Sequence, residues 1–180
     1  TFPVVIIQDR ILLTEVLREA ATLIIMWSTV CLIYMRLQSR VAAFVILFGV
    51  WDIFYYIFLK LLLDWPESLN TWDILFLIPI PWIGPVWAPI LVSITFIYAG
   101  TAILLKNHQD SFLHFDGKFI LLELFAALFI IISFIIPATS VIEQSLPSHF
   151  TWYLFFMGFF IGLSTFLYYY YHSNDPNNLK

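Results

Sequence analysis

Five apolar runs, at about 20–35, 41–63, 83–105, 119–136 and 150–171, lie near the ~20 residues that a helix needs to cross the hydrocarbon core of a bilayer. The connections between them are short, so nearly all of the 180 residues belong to spans and no stretch remains for a separate soluble catalytic domain. Composition agrees: 62% hydrophobic, 19% aromatic and 11% charged residues fall far from the values of a soluble domain. In lipid each backbone amide must find its acceptor within the protein, and an open apolar run does so as a helix. The expected fold is all-α, a polytopic membrane helical bundle of five transmembrane helices forming one transmembrane domain over 1–180.

Two further segments flank these runs. Residues 4–19 mix Ile6, Ile7, Ile11, Leu13, Val16 and Leu17 with Asp9, Arg10, Glu15, Arg18 and Glu19, a pattern that suits an N-terminal interfacial helix running into the first span. Trp72 to Ile80 is too short to cross and leads into Pro79, Pro81, Pro85 and Pro89, so 72–81 reads as a re-entrant or interfacial segment. Asp73 at Thr71-Trp72-Asp73 would satisfy free amides at the start of a short helix reaching Ile78, and Pro79 and Pro81 would stop it.

Arg36, Arg40, Lys106, Lys118 and Lys180 mark one side of the membrane, whereas Arg10, Arg18 and Lys60 share the other with Asp9, Glu15, Glu19, Asp64, Glu67, Asp73 and Glu143. The basic side is expected to be cytoplasmic, with the N-terminus outside and the C-terminus inside. Trp65, Trp72, Trp82 and Trp152 belong toward one interface and Tyr168 to Tyr171 toward the other. A net charge of −4 without a Lys/Arg cluster argues against a nucleic-acid partner. The chain shows no basic n-region with a small-residue cleavage site, and a cleaved signal is not expected.

Asp52 lies within the second run, where a carboxylate costs about 2.5–3.5 kcal/mol unless it has a partner, a proton or a cavity to face. Asp52, Tyr56 and Lys60 are spaced four apart and form one polar stripe. Lys60 stands about 12 Å of rise from Asp52 and should snorkel toward Asp64 or Glu67, leaving Tyr56 as the nearer partner of Asp52. Arg18 and Glu19 fall at the expected depth of Asp73, so an ion pair of Arg18 with Asp73 or Asp52 would either fasten the 72–81 segment or floor an outward pocket lined by Trp51, Trp72, Trp82 and Trp87. Asp52 itself reads either as a helix-to-helix pin or as a proton or cation site.

Glu123, one turn inside the fourth run, is expected to pair with Arg36, Arg40 or Lys106; Ser28, Thr29, Thr95, Tyr98 and Thr101 are the polar residues that would link it to Asp52. Cys31 is alone and reads as packing. His108, His114, His149 and His172 fall at span ends or in connections, which disfavours haem or chlorophyll ligation; His108 and His114 with Asp110 and Asp116 could gather a metal on their connection but match no zinc spacing, and a solvated loop is the expectation there. No phosphate-binding glycine loop, GxSxG or HExxH occurs. No catalytic residue, metal or cofactor is expected; bound lipid is.

The strings REAATLIIM, FGVWDIFYYIFLKLLLDWPESL and TWDILFLIPIPWIGPVWAPILV resemble a family of small multi-pass bacterial membrane proteins with no assigned activity. The resemblance covers about the first 105 residues, implies the bacterial cytoplasmic (inner) membrane and carries over no site residue. The leading expectation is a non-catalytic integral subunit that packs on other integral membrane subunits and stabilises a larger complex, an electron-transfer complex being one such setting. Nineteen Phe would make its contact surface large and rigid. The alternatives are a small proton- or cation-coupled transporter or channel-like protein using Asp52, and an intramembrane lipid-modifying enzyme using Asp73 and Glu19.

Overall fold

The computed structural model describes residues 9–109, 112–138 and 149–172; residues 4–8 of the expected interfacial helix, together with Asp110, Glu143 and Lys180, lie outside the described residues. In chain order the elements are α1 (Asp9–Ile33), α2 (Leu37–Leu63), β1 (Trp72–Phe76), β2 (Trp82–Pro85), α3 (Trp87–His108), α4 (Gly117–Ile135) and α5 (Trp152–His172). Among the described residues, these five helices are each long and apolar enough to cross a membrane. Residues 9–19 contain no Gly or Pro and are rich in Leu, Arg and Glu, so α1 runs unbroken through the point where an interfacial helix was expected to meet the first span. α2 begins at Leu37, four residues before its expected start at 41, and α3 begins at Trp87 because residues 83–85 belong to a strand.

Small residues bring the helices together in pairs. A methyl group at Gly49 of α2 would stand 2.6 Å from the Ser93 carbonyl oxygen of α3, and one at Gly100 of α3 would stand 2.5 Å from the Ala42 carbonyl oxygen of α2. The α4–α5 pair is built the same way, with Gly158 against the Ala126 carbonyl oxygen. α1 packs along α2. At its far end α2 closes on Asp64, whose φ of 51° and ψ of 31° place it in the left-handed region that Asp tolerates better than most residues. Pro66 shortly after prevents the helix from resuming.

The segment after α2 corrects the expected short helix over Trp72 to Ile78. It is an antiparallel hairpin with Trp72 opposite Pro85, Asp73 opposite Gly84, Ile74 opposite Ile83 and Phe76 opposite Trp82, and with a register shift between Ile74 and Phe76. Pro79 and Pro81 lack amide donors and fall in the connection, while Trp72, Ile74 and Phe76 supply the aromatic and β-branched side chains that suit a strand.

The hairpin packs against α3 and α4. Trp82 stacks on Phe134 with ring centres 6.2 Å apart, Trp72 meets Phe150 edge-on, and Phe134, Phe150, Phe155 and Ala88 form the buried cluster beneath them. Trp87 stacks on Trp152 at 4.2 Å and ties the start of α3 to the start of α5. At the opposite end, Asp116 caps α4 by accepting the Phe119 amide at 2.9 Å and also accepts the Tyr169 hydroxyl of α5 at 2.6 Å.

Candidate functional site

The polar stripe of α2 reaches two other elements, and its partners differ from those expected. Asp52 Oδ2 accepts the Ser93 hydroxyl of α3 at 2.8 Å, and Tyr56 donates to Asp73 Oδ2 of β1 at 3.0 Å. Tyr56 is therefore the partner of Asp73 and not of Asp52. A helix places residues 52 and 56 one turn apart, so the two bonds lie one above the other and fix α2 first to α3 and then to the hairpin.

Asp73 is 1% exposed and Tyr56 5%. Asp73 also accepts the Ile74 amide. Burial pushes its carboxyl up to about 7, the bonds from Tyr56 and Ile74 oppose the shift, and the Asp52 charge adds to it.

Lys60 climbs to the end of α2, where its ammonium meets Asp64 Oδ1 at 2.7 Å and donates to the Pro66 carbonyl at 3.1 Å. This pair holds Asp64 below the usual carboxylate range, through the lysine's hydrogen bond and its charge. Asp64 is well exposed, so the pair lies at the rim of the site and away from its interior.

Arg18 corrects a second expectation. Its Nε pairs with Glu15 Oε2 of its own helix at 2.7 Å, and it forms no ion pair with Asp73 or Asp52. Glu19 instead joins α1 to the hairpin: its Oε2 accepts the Leu77 amide at 2.9 Å. Glu19, Asp52 and Asp73 thus accept from two backbone amides, those of Leu77 and Ile74, and from two hydroxyls, and among the described residues none of the three forms an ion pair with Lys or Arg.

The four tryptophans do not line one pocket. Trp51 stacks along α2 with Phe48 and Tyr55, whereas Trp72, Trp82 and Trp87 belong to the aromatic cluster on α4 and α5. An open apolar groove of about 310 Å³ lies elsewhere, between α1 and α2, lined by Leu23, Ile24, Trp27, Ser28 and Phe44. Its lining is apolar apart from the Ser28 hydroxyl and the Trp27 indole.

Glu123 corrects a third expectation. Its supposed partners are engaged elsewhere: Arg36 lies 3.6 Å over the Phe112 ring, Arg40 donates to the Tyr34 carbonyl at 2.7 Å, and Lys106 donates to the Tyr170 carbonyl at 2.6 Å. Among the described residues Glu123 Oε1, which is buried, has no hydrogen-bond partner. Of the polar residues expected to link it to Asp52, Thr95 bonds back to the Leu91 carbonyl, Thr29 to the Ile25 carbonyl, and Tyr98 is exposed.

Sequence reasoning missed Ser93 and Leu77. Ser93 is 1% exposed and is the partner that makes Asp52 tolerable within α2. Its signal was Gly49, one turn before Asp52, since a glycine inside an apolar helix marks close approach by a neighbour. The Leu77 amide carried no signal, because any residue except proline supplies one.

Chemically, the three carboxyls can accept hydrogen bonds and hold protons. Among the described residues no group of three or more His, Cys, Asp or Glu is placed to hold a metal ion. Comparison of the chain with protein-family models, with curated proteins and with solved structures finds no match.

Proposed function

We propose that this chain is a non-catalytic integral subunit of a larger membrane complex in the bacterial inner membrane, oriented with its N-terminus outside. The observation that supports this reading is how three acids, on α1, α2 and the hairpin, are used. Glu19, Asp52 and Asp73 each join two different elements of the fold, through Leu77, Ser93 and Tyr56. Carboxyls engaged in this way fasten a scaffold, and the surface left over is aromatic and aliphatic, suited to neighbouring helices and lipid.

Gentle extraction from native membranes followed by native mass measurement tests the reading. The expected outcome is co-purification with at least one other integral membrane protein at fixed stoichiometry. A stable monomer, free of other proteins and recovered in full, would overturn it.

One observation favours a second reading. Asp52 and Asp73 face hydroxyls and, among the described residues, pair with no Lys or Arg, an arrangement compatible with taking up protons or a cation. In that case Asp52→Asn abolishes ion-coupled uptake or proton leak in liposomes while the folded yield stays the same. Equal flux through the variant removes Asp52 from any transport mechanism.

A further inference from the structure

Glu123 is an acid within α4 whose Oε1 has no hydrogen-bond partner among the described residues. It lies on α4 where α5 passes closest: a methyl group at Gly162 would stand 3.2 Å from Glu123 Oε2 and 3.3 Å from the Ala126 methyl, and one at Gly158 would stand 2.5 Å from the Ala126 carbonyl oxygen. The carboxyl is therefore pressed against bare backbone. Among the described residues its Oε1 has no hydrogen-bond partner, and no Lys or Arg pairs with it. Glu19, Asp52 and Asp73 each fasten two elements, whereas among the described residues Glu123 makes no hydrogen bond or ion pair to another element. A leucine of similar volume would pack this seam without the penalty of an unpaired buried polar group, so packing does not account for a carboxyl here.

The same seam leads outward. Asp116 precedes Glu123 by seven residues, two turns or about 10 Å along the same face of α4. Tyr169 follows Gly162 by seven residues along α5, and its hydroxyl meets Asp116 Oδ1 at 2.6 Å. Buried Thr165 lies on α5 between the two levels. The other charged or titratable groups on the elements around the seam are Lys118 on α4, Tyr153, Tyr168, Tyr170, Tyr171 and His172 on α5, and Tyr98, Lys106 and His108 on α3. Lys106 is held by Tyr170, and His172 shares a hydrogen bond with the Tyr168 carbonyl.

We propose that Glu123 is a proton-binding site served from the Asp116–Tyr169 end of the α4–α5 seam. In the neutral state the carboxyl carries one proton. On release that proton passes by way of the Thr165 hydroxyl, which accepts it and gives up its own, to water at the Tyr169–Asp116 end, so the exchange moves a proton and no electrons. The site is separate from the subunit and Asp52 readings, since it uses the other helix pair.

A membrane-permeant carbodiimide, dicyclohexylcarbodiimide, tests the proposal on the full chain in sealed membrane vesicles. A protonated carboxyl adds across one C=N bond of the reagent, and the adduct rearranges to a stable N-acylurea that retains every atom of both partners. Mapping the α4 peptide by mass should place the adduct on Glu123 at mildly acidic pH, with the labelling lost at alkaline pH. Recovery of that peptide unlabelled at every pH would overturn the proposal, as would labelling that pH leaves unchanged. Infrared difference spectra supply a second readout: transfer to heavy water should shift a protonated-acid carbonyl band that Glu123→Gln abolishes. Persistence of the full band in the folded variant would overturn the assignment. If the variant fails to fold, labelling of the wild-type chain decides alone.

Discussion

The Tyr56 hydroxyl donates to Asp73 Oδ2 across 3.0 Å, joining the last third of α2 to the first strand of the hairpin at a point where both side chains are almost wholly buried. They stand seventeen positions apart in the chain, on either side of the connection from α2 to β1. The bond fixes the register between helix and hairpin, because a shift of one residue in β1 would carry Asp73 to the other face of the strand.

Tyr56→Phe keeps the ring and removes the donor. Asp73 would then stay buried with one bond fewer, a loss of about 1–3 kcal/mol. The expected outcome is a lower thermal midpoint in detergent and faster proteolysis between Trp65 and Trp87. Asp73→Asn in the same background should recover part of the loss, since it removes the uncompensated carboxylate.

Asp73 and Asp116 predict opposite responses to pH. Burial raises Asp73 to about 7, so between the ordinary value near 4 and about 7 the folded state binds more protons than the unfolded state, and stability falls as pH rises through that window. The contribution amounts to a few kcal/mol at most, since each tenfold change in proton affinity is worth about 1.4 kcal/mol. The Tyr169 hydroxyl and then the Phe119 amide lower Asp116, whose contribution is present above the ordinary carboxylate range and is lost as pH falls through the lowered value. Stability followed against pH should therefore lose its decline toward neutrality in Asp73→Asn, and lose part of its acid-side fall in Asp116→Asn.

The five spans were legible in the sequence because length and apolarity alone define them, and no tertiary detail is needed to see that about 20 apolar residues form a helix in lipid. The hairpin was not. Trp72-Asp73-Ile74-Leu75-Phe76 is too short for its period to separate strand from helix, and an Asp after a Thr reads equally well as a helix start. Of the site, the sequence identified the acids and left their partners open. Asp52 advertised a need for a partner, yet the choice between Tyr56 on its own helix and Ser93 on the next depends on which face α3 presents, and that is decided by Gly49 and Gly100. Lys60 and Asp64 were readable because both lie on one helix end, four residues apart.

Those glycines carry their own prediction. Gly49→Ala and Gly100→Ala each place a methyl group within 2.6 Å of a backbone carbonyl oxygen of the facing helix, which backbone cannot easily yield. Each should cost about 1–3 kcal/mol by forcing α2 and α3 apart. Gly49→Ala should also lengthen the Asp52–Ser93 bond one turn away. Gly117→Ala is the control, since a methyl group there meets nothing within 4 Å, and it should leave the thermal midpoint unchanged or slightly raised.

Glu19 offers the sharpest test of whether the acids act as fasteners. Its Oε2 accepts the Leu77 amide at 2.9 Å, joining α1 to the connection between the strands. Glu19→Gln retains a carbonyl oxygen at the same reach and should preserve the bond, whereas Glu19→Ala leaves the Leu77 amide unsatisfied. Amide hydrogen exchange at Leu77 reports the difference directly. Loss of about 1–1.5 kcal/mol from one bond corresponds to roughly tenfold faster exchange through local opening. The Ala variant should show that acceleration at Leu77 and the Gln variant should match the wild type. Equal protection in all three would mean that the Glu19–Leu77 bond does not hold the hairpin, and the scaffold would then rest on Tyr56, Ser93 and the aromatic cluster.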